Sequence, residues 1–78
     1  MLPECQLLEA PGRHPCELAE YELMPMIERG LWVELVDITS DAELNERYDG
    51  RIPVLRRLDT GAELDWPFES AQLAAFLA

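Results

Sequence analysis

The apolar positions change period along the chain, and each change marks an element. From Cys5 to Ala10 the run Cys-Gln-Leu-Leu-Glu-Ala reads as a short strand, stopped by the strong breaker Pro11-Gly12. The pattern then becomes helical. Between about Pro15 and Arg29, residues Cys16, Ala19, Leu23, Met26 and Ile27 fall on one stripe of a wheel turning ~100° per residue. Pro15 suits the first turn, where a missing N–H costs nothing, and Gly30 suits the stop. Cys16 therefore heads the face that should lie on a sheet. Pro25 falls on the opposite side, where a bend or a break is expected.

Leu31 to Ile38 is apolar on both alternating faces, which predicts a central strand covered on two sides. Ser40 followed by Glu43 spells a capping box and predicts a short helix to Tyr48, ended at Gly50, with Leu44 and Tyr48 as its packing face. Pro53 to Leu58 reads as a third strand, Asp59-Thr60-Gly61 as a tight turn, and Ala62 to Asp65 as a fourth strand. Glu69 or Ser70 then caps a last helix through Leu77, with Leu73, Phe76 and Leu77 at core spacing. The order is β-α-β-α-β-β-α. Right-handed parallel crossovers turn it into an α/β fold with a four-stranded mixed sheet and helices on both faces, the thioredoxin-like arrangement.

Composition narrows the partners. Seventy-eight residues make one domain, 1–78, whose elements must share one core. Sixteen acidic residues against six basic ones give a net charge of -10, which argues against nucleic acid and against anionic membrane surfaces. No apolar run approaches the ~18 residues of a membrane span, and the N-terminus lacks the basic and apolar regions of a secretory signal. A cytoplasmic location is the expectation. The two cysteines, Cys5 and Cys16, are then not expected to form a structural disulfide. Cys5 begins the first strand and the loop before Cys16 follows its far end, five or more residues away at ~3.3 Å each, so the two thiols should not meet. Cys5 reads as a packed strand residue. The only histidine, His14, is two residues from Cys16, and no second cysteine pair exists, so no metal site is expected.

Three features carry a family likeness: Pro11-Gly12 leading into Arg13-His14-Pro15-Cys16, the dipeptide Ile52-Pro53, and Glu63-Leu64-Asp65-Trp66-Pro67-Phe68 before the last helix. Together they resemble a small bacterial glutaredoxin-like protein of the thioredoxin-fold superfamily, over essentially the whole chain. The resemblance implies a cysteine pair at the positions of Arg13 and Cys16, the first an exposed nucleophile and the second a buried resolving thiol. This chain keeps the second only. The resemblance also implies that Pro53 is cis and faces the Arg13–Cys16 loop. Ile52 and Pro53 would then bind an extended peptide or glutathione, with glutathione as co-substrate and no bound cofactor.

Arginine neither attacks a disulfide nor loses its proton, so an internal redox couple between Arg13 and Cys16 is excluded. Cys16 itself keeps two readings. A helix N-terminus and the charges of Arg13 and His14 favour its thiolate, whereas burial on an apolar stripe makes it an inert small hydrophobe. Arg13 either stabilises a thiolate or a substrate carboxylate, or pairs with a surface acid. His14 either assists proton transfer or is a solvated loop residue. Trp66 either covers the end of the core or offers a platform to a ligand. Leu18, Tyr21 and Pro25, with Met24 at the margin, form an apolar strip opposite the core stripe, a docking surface or scattered surface hydrophobes. Two functions follow: monothiol exchange through Cys16 with a protein or peptide thiol partner, or a catalytically degenerate module that binds a peptide or protein.

Overall fold

Strand β1 (Glu4–Glu9) is flanked on both sides, by β2 (Trp32–Asp37) in parallel and by β3 (Val54–Arg57) in antiparallel, with β4 (Glu63–Asp65) antiparallel beyond β3. The sheet order in this computed structural model, which describes residues 1–78, is β2-β1-β3-β4. Strand alternation sends Cys5 and Leu7 to one face, where they meet Ala19 and Leu23 of α1 (His14–Glu28) and Leu73 and Leu77 of α3 (Ser70–Leu77). Leu8 and Ala10 go to the other face and meet Tyr48 of α2 (Ala42–Tyr48) and Ile38 of a 3₁₀ turn (Ile38–Ser40). The molecule is therefore a four-stranded mixed sheet with α1 and α3 on one face and α2 on the other, the thioredoxin-like fold. Each buried leucine contributes roughly 1.5–3 kcal/mol to that sandwich.

The expectation for Leu31 to Ile38 needs correction. β2 is an edge strand paired with β1 alone, and Trp32 and Leu35 stand 50% and 53% exposed. Its double apolar pattern has another source. Val33 packs under the α1/α3 layer and Val36 under the α2 layer, so both faces are partly covered while one edge is open. The central positions belong to β1 and β3.

Local chemistry explains the helix ends, with two departures from the pattern. Asp41, not Ser40, caps α2: its carboxylate accepts from the N–H groups of Glu43 and Leu44 at 2.9 and 3.2 Å. The Ser40 hydroxyl instead donates to the Asp37 carbonyl at 2.7 Å, closing the 3₁₀ turn. In α1 the stripe rotates toward α3, so Met26 is half-buried and Ile27 is exposed. α1 runs through Pro25 as one element and ends on Gly30, whose φ of +105° only glycine tolerates easily. There the N–H groups of Gly30 and Leu31 donate to the carbonyls of Ile27 and Met26, both at 3.0 Å, a Schellman closure. α3 opens with a capping box in which Glu69 and Gln72 bond each other's backbone N–H. The peptide bonds Ile52-Pro53 and Trp66-Pro67 are cis. No helix is long and apolar enough to cross a membrane.

Candidate functional site

At the end of β1 the chain turns through Pro11-Gly12, with Gly12 at φ +75°, and enters α1 with Arg13 as its N-cap residue. His14 and Pro15 occupy the first two helical positions, and Cys16 the third. That position turns the Cys16 side chain inward, and the residue is 3% exposed. Its thiol sits over the end of β1, with the Ala10 backbone N–H donating toward the sulfur. Burial raises the Cys16 pKa above the ordinary thiol value; the Ala10 N–H and the Arg13 charge pull it down, while Glu9 and Glu20 push it further up. The net direction is upward, so the thiol form is the resting form. Cys5 is fully buried and pushed up to about 11, again by burial first. Both cysteines are free thiols.

The other residues singled out in the loop have surface carboxylates as neighbours. Arg13 reaches Asp49, beyond the end of α2, at 3.6 Å, and both side chains are more than half exposed. His14 is exposed, with Nδ1 3.5 Å from Glu17 of the next turn. On the neighbouring segment Pro53 is buried and Ile52 is half-buried against the α2-side cluster. The Pro53 carbonyl accepts from the Trp66 N–H at 3.1 Å, which ties the start of β3 to the end of β4. The N–H and C=O of Ile52 make no hydrogen bond with the rest of the chain. Trp66 packs on the larger core cluster and meets Phe68 edge-on, with centroids 5.0 Å apart, which makes it a cover over the core end.

Two groups of charged residues around this loop were not singled out from the sequence. Glu9 has the inward parity of Cys5 and Leu7, and Glu20 lies one turn beyond Cys16 on α1, so the two carboxyls meet beside the buried thiol. Burial first, then a hydrogen bond with Glu20, then repulsion from Glu20 and Asp37 push the Glu9 pKa up to about 7. One Glu9 carboxyl oxygen is buried without a partner. Strand parity together with the one-turn spacing from Cys16 was the signal that could have found this pair.

The second group surrounds Arg51, immediately before Ile52. Its guanidinium forms two bonds to Asp65, at 2.9 and 3.4 Å, and one to Glu63 at 2.9 Å, and lies 5.2 Å from the centre of the Tyr48 ring. The Tyr48 hydroxyl donates to the other oxygen of Glu63, which lowers the glutamate's pKa and raises its own. This network clamps the segment before Ile52 between α2 and β4. No local pattern announces it, because the partners are 12 to 15 residues apart.

A four-stranded mixed sheet with a cysteine at the head of the first helix and a proline at the entry to the third strand defines a thioredoxin-like protein of the glutaredoxin type. Residues 4–78 match the family model of the glutaredoxin-like domain (DUF836), and the chain belongs to that family. The X-ray structure of protein XcR50 from X. campestris, a structural genomics target, is 36% identical, with a TM-score of 0.81 over 92% of each chain. The solution structure of that target matches at 33% identity and a TM-score of 0.73, over 92% of this chain and 88% of the other. The solution structure of protein Ne2328 from Nitrosomonas europaea, 22% identical, shares the fold with a TM-score of 0.83 over 100% of this chain and 94% of the other. No curated protein sequence matches the chain significantly.

Proposed function

We propose that this glutaredoxin-like domain is a binding module that has lost thiol exchange, with Arg13 in the place of the attacking cysteine and Cys16 as a structural thiol. The observation that carries this reading is the state of Cys16: almost wholly buried, with its pKa raised and two glutamates beside it. A buried protonated thiol is a poor nucleophile, and Arg13 is engaged with Asp49. The ligand is an extended polypeptide laid along Ile52–Pro53. The unused N–H and C=O of Ile52 offer it strand-like hydrogen bonds, and the Arg51 clamp holds that backbone in place.

A second reading rests on the Arg13 charge and the Ala10 N–H, both of which favour the Cys16 thiolate. In it the Cys16 thiolate attacks a glutathione disulfide, forms the mixed disulfide and releases one glutathione thiolate.

Alkylation of the folded protein by iodoacetamide from pH 5 to 9, read by mass spectrometry beside incubation with glutathione disulfide, separates the two. The binding-module reading expects Cys16 to react far more slowly than in the unfolded chain, with no glutathionylated species. Fast alkylation rising with pH, together with a glutathione adduct on Cys16, overturns it in favour of monothiol exchange. Reduced glutathione, itself an extended tripeptide, should shift the Ile52 amide resonance at millimolar concentration. A spectrum unchanged there removes the Ile52 groove.

A further inference from the structure

Strand β2 is one open edge of the sheet. It carries six residues with no proline and no bulge, and one half-exposed hydrophobe stands on each face: Leu35 on the α1 side, 53% exposed, and Trp32 on the α2 side, 50% exposed. Such an edge presents unpaired backbone groups and is a template for another strand. Above it lies one flank of α1. The opposite flank faces α3, where Glu22, Pro25, Met26 and Arg29 line a groove with Ser70, Ala71, Leu73 and Ala74. The other flank, where Glu20 meets Glu9 near Asp37 at the end of β2, carries an open concavity lined by Glu17, Glu20, Tyr21 and Met24, with Tyr21 77% exposed.

Charge decides what fits. Across α1, its two caps and β2 the acids Glu17, Glu20, Glu22, Glu28, Glu34 and Asp37 outnumber the cations: Arg29 lies on the α3 side, Arg13 reaches Asp49, and His14 stands beside Glu17. The chain contains no lysine and carries a net charge of -10, so a second copy brings the same negative field to the edge and is repelled. A cationic side chain suits the concavity on three counts. Its head meets two carboxylates, its stem lies along Met24, and its charge faces the Tyr21 ring.

We propose that the β2 edge and the adjoining flank of α1 form a docking surface for a basic, extended segment of a partner protein. The segment adds to β2 as a fifth strand. Its apolar residues cover Leu35 and Trp32, and a lysine or arginine enters the concavity between Glu17, Glu20 and Tyr21. This surface is separate from Ile52–Pro53, because β2 and β3 lie on opposite sides of β1.

The test is an NMR titration at low salt with a synthetic peptide alternating lysine and valine, ended by prolines to keep it monomeric. A glutamate–valine peptide of equal length is the control. Amide resonances of Trp32–Asp37 should shift, and their hydrogen exchange should slow. Leu35→Arg and Glu17→Arg, both at exposed positions, should each weaken binding by about tenfold with folded spectra retained. In the titration, three outcomes overturn the proposal: no shift in β2 at millimolar peptide, shifts gathered instead at Ile52 and Val54, or equal binding of the glutamate–valine peptide. A concentration-dependent dimer in sedimentation that Leu35→Arg abolishes also overturns it, since a second copy would then occupy the edge. Because shifts at β2 and at Ile52 are read separately, failure here leaves the Ile52 groove intact.

Discussion

Two pairs of carboxylates flank the same end of the sheet and behave in opposite ways. Glu63 and Asp65 meet Arg51 and the Tyr48 hydroxyl, and the pKa of Glu63 falls. Glu9 and Glu20 meet each other with no ion-pair partner, and the pKa of Glu9 rises to about 7. All four groups are carboxyls; what differs is whether the fold delivers a cation or a second anion. The first pair clamps the segment before Ile52, whereas the second surrounds Cys16 with a proton-holding, negative environment that resists thiolate formation.

The two pairs should therefore give opposite pH dependence. Glu9 has a folded pKa above its ordinary value of 4.5, so its stabilising contribution is complete below about pH 4.5 and is lost as pH rises through about 7. Glu63 is shifted down, so its contribution is present above the ordinary glutamate value and is lost as pH falls through its lowered one. As far as these groups decide it, stability peaks on the acid side of neutrality.

Tyr48→Ala should have the largest effect. It empties a fully buried site and releases Glu63, and urea unfolding should show a loss of about 3–5 kcal/mol. A loss below about 1 kcal/mol would show that the clamp does not depend on the ring. Glu9→Gln should come next and carry the opposite sign. It removes the like-charge conflict and stabilises the protein by about 1–2 kcal/mol at neutral pH, a figure reduced for solvent screening. The gain should vanish near pH 4.5, and a constant gain across pH 4 to 8 would contradict the raised Glu9 pKa. Arg51→Met should cost about 1 kcal/mol at pH 7 and less in acid, where Glu63 no longer needs its cation. Asp49→Asn should change stability least, by under about 0.5 kcal/mol, because the Arg13–Asp49 pair is exposed. A larger loss would mean that this pair holds the loop in place.

Most elements were legible because their signals are local. The Pro11-Gly12 breaker, the inward stripe of Cys16, Ala19 and Leu23, and the Asp59-Thr60-Gly61 turn each act within a few residues, and each stands in the structure within a residue or two of its reading. Where local signals competed, the reading slipped. Ser40 and Asp41 both offer a capping oxygen, and the geometry of the preceding 3₁₀ turn gave the cap to Asp41. In the candidate site, the inward position of Cys16 was readable from the helical period, but its surroundings were not.

By itself, then, the sequence determined the order of strands and helices, the faces they bury and the absence of a dithiol pair, because periodicity and turn chemistry are short-range. Only the tertiary structure decided that β2 is an open edge, that Glu9 lies against Glu20, and that Arg51 clamps β4. An apolar run looks the same at the edge of a sheet as at its centre. A carboxylate's ionisation depends on whichever charge the fold brings within a few ångströms of it, from any distance along the chain.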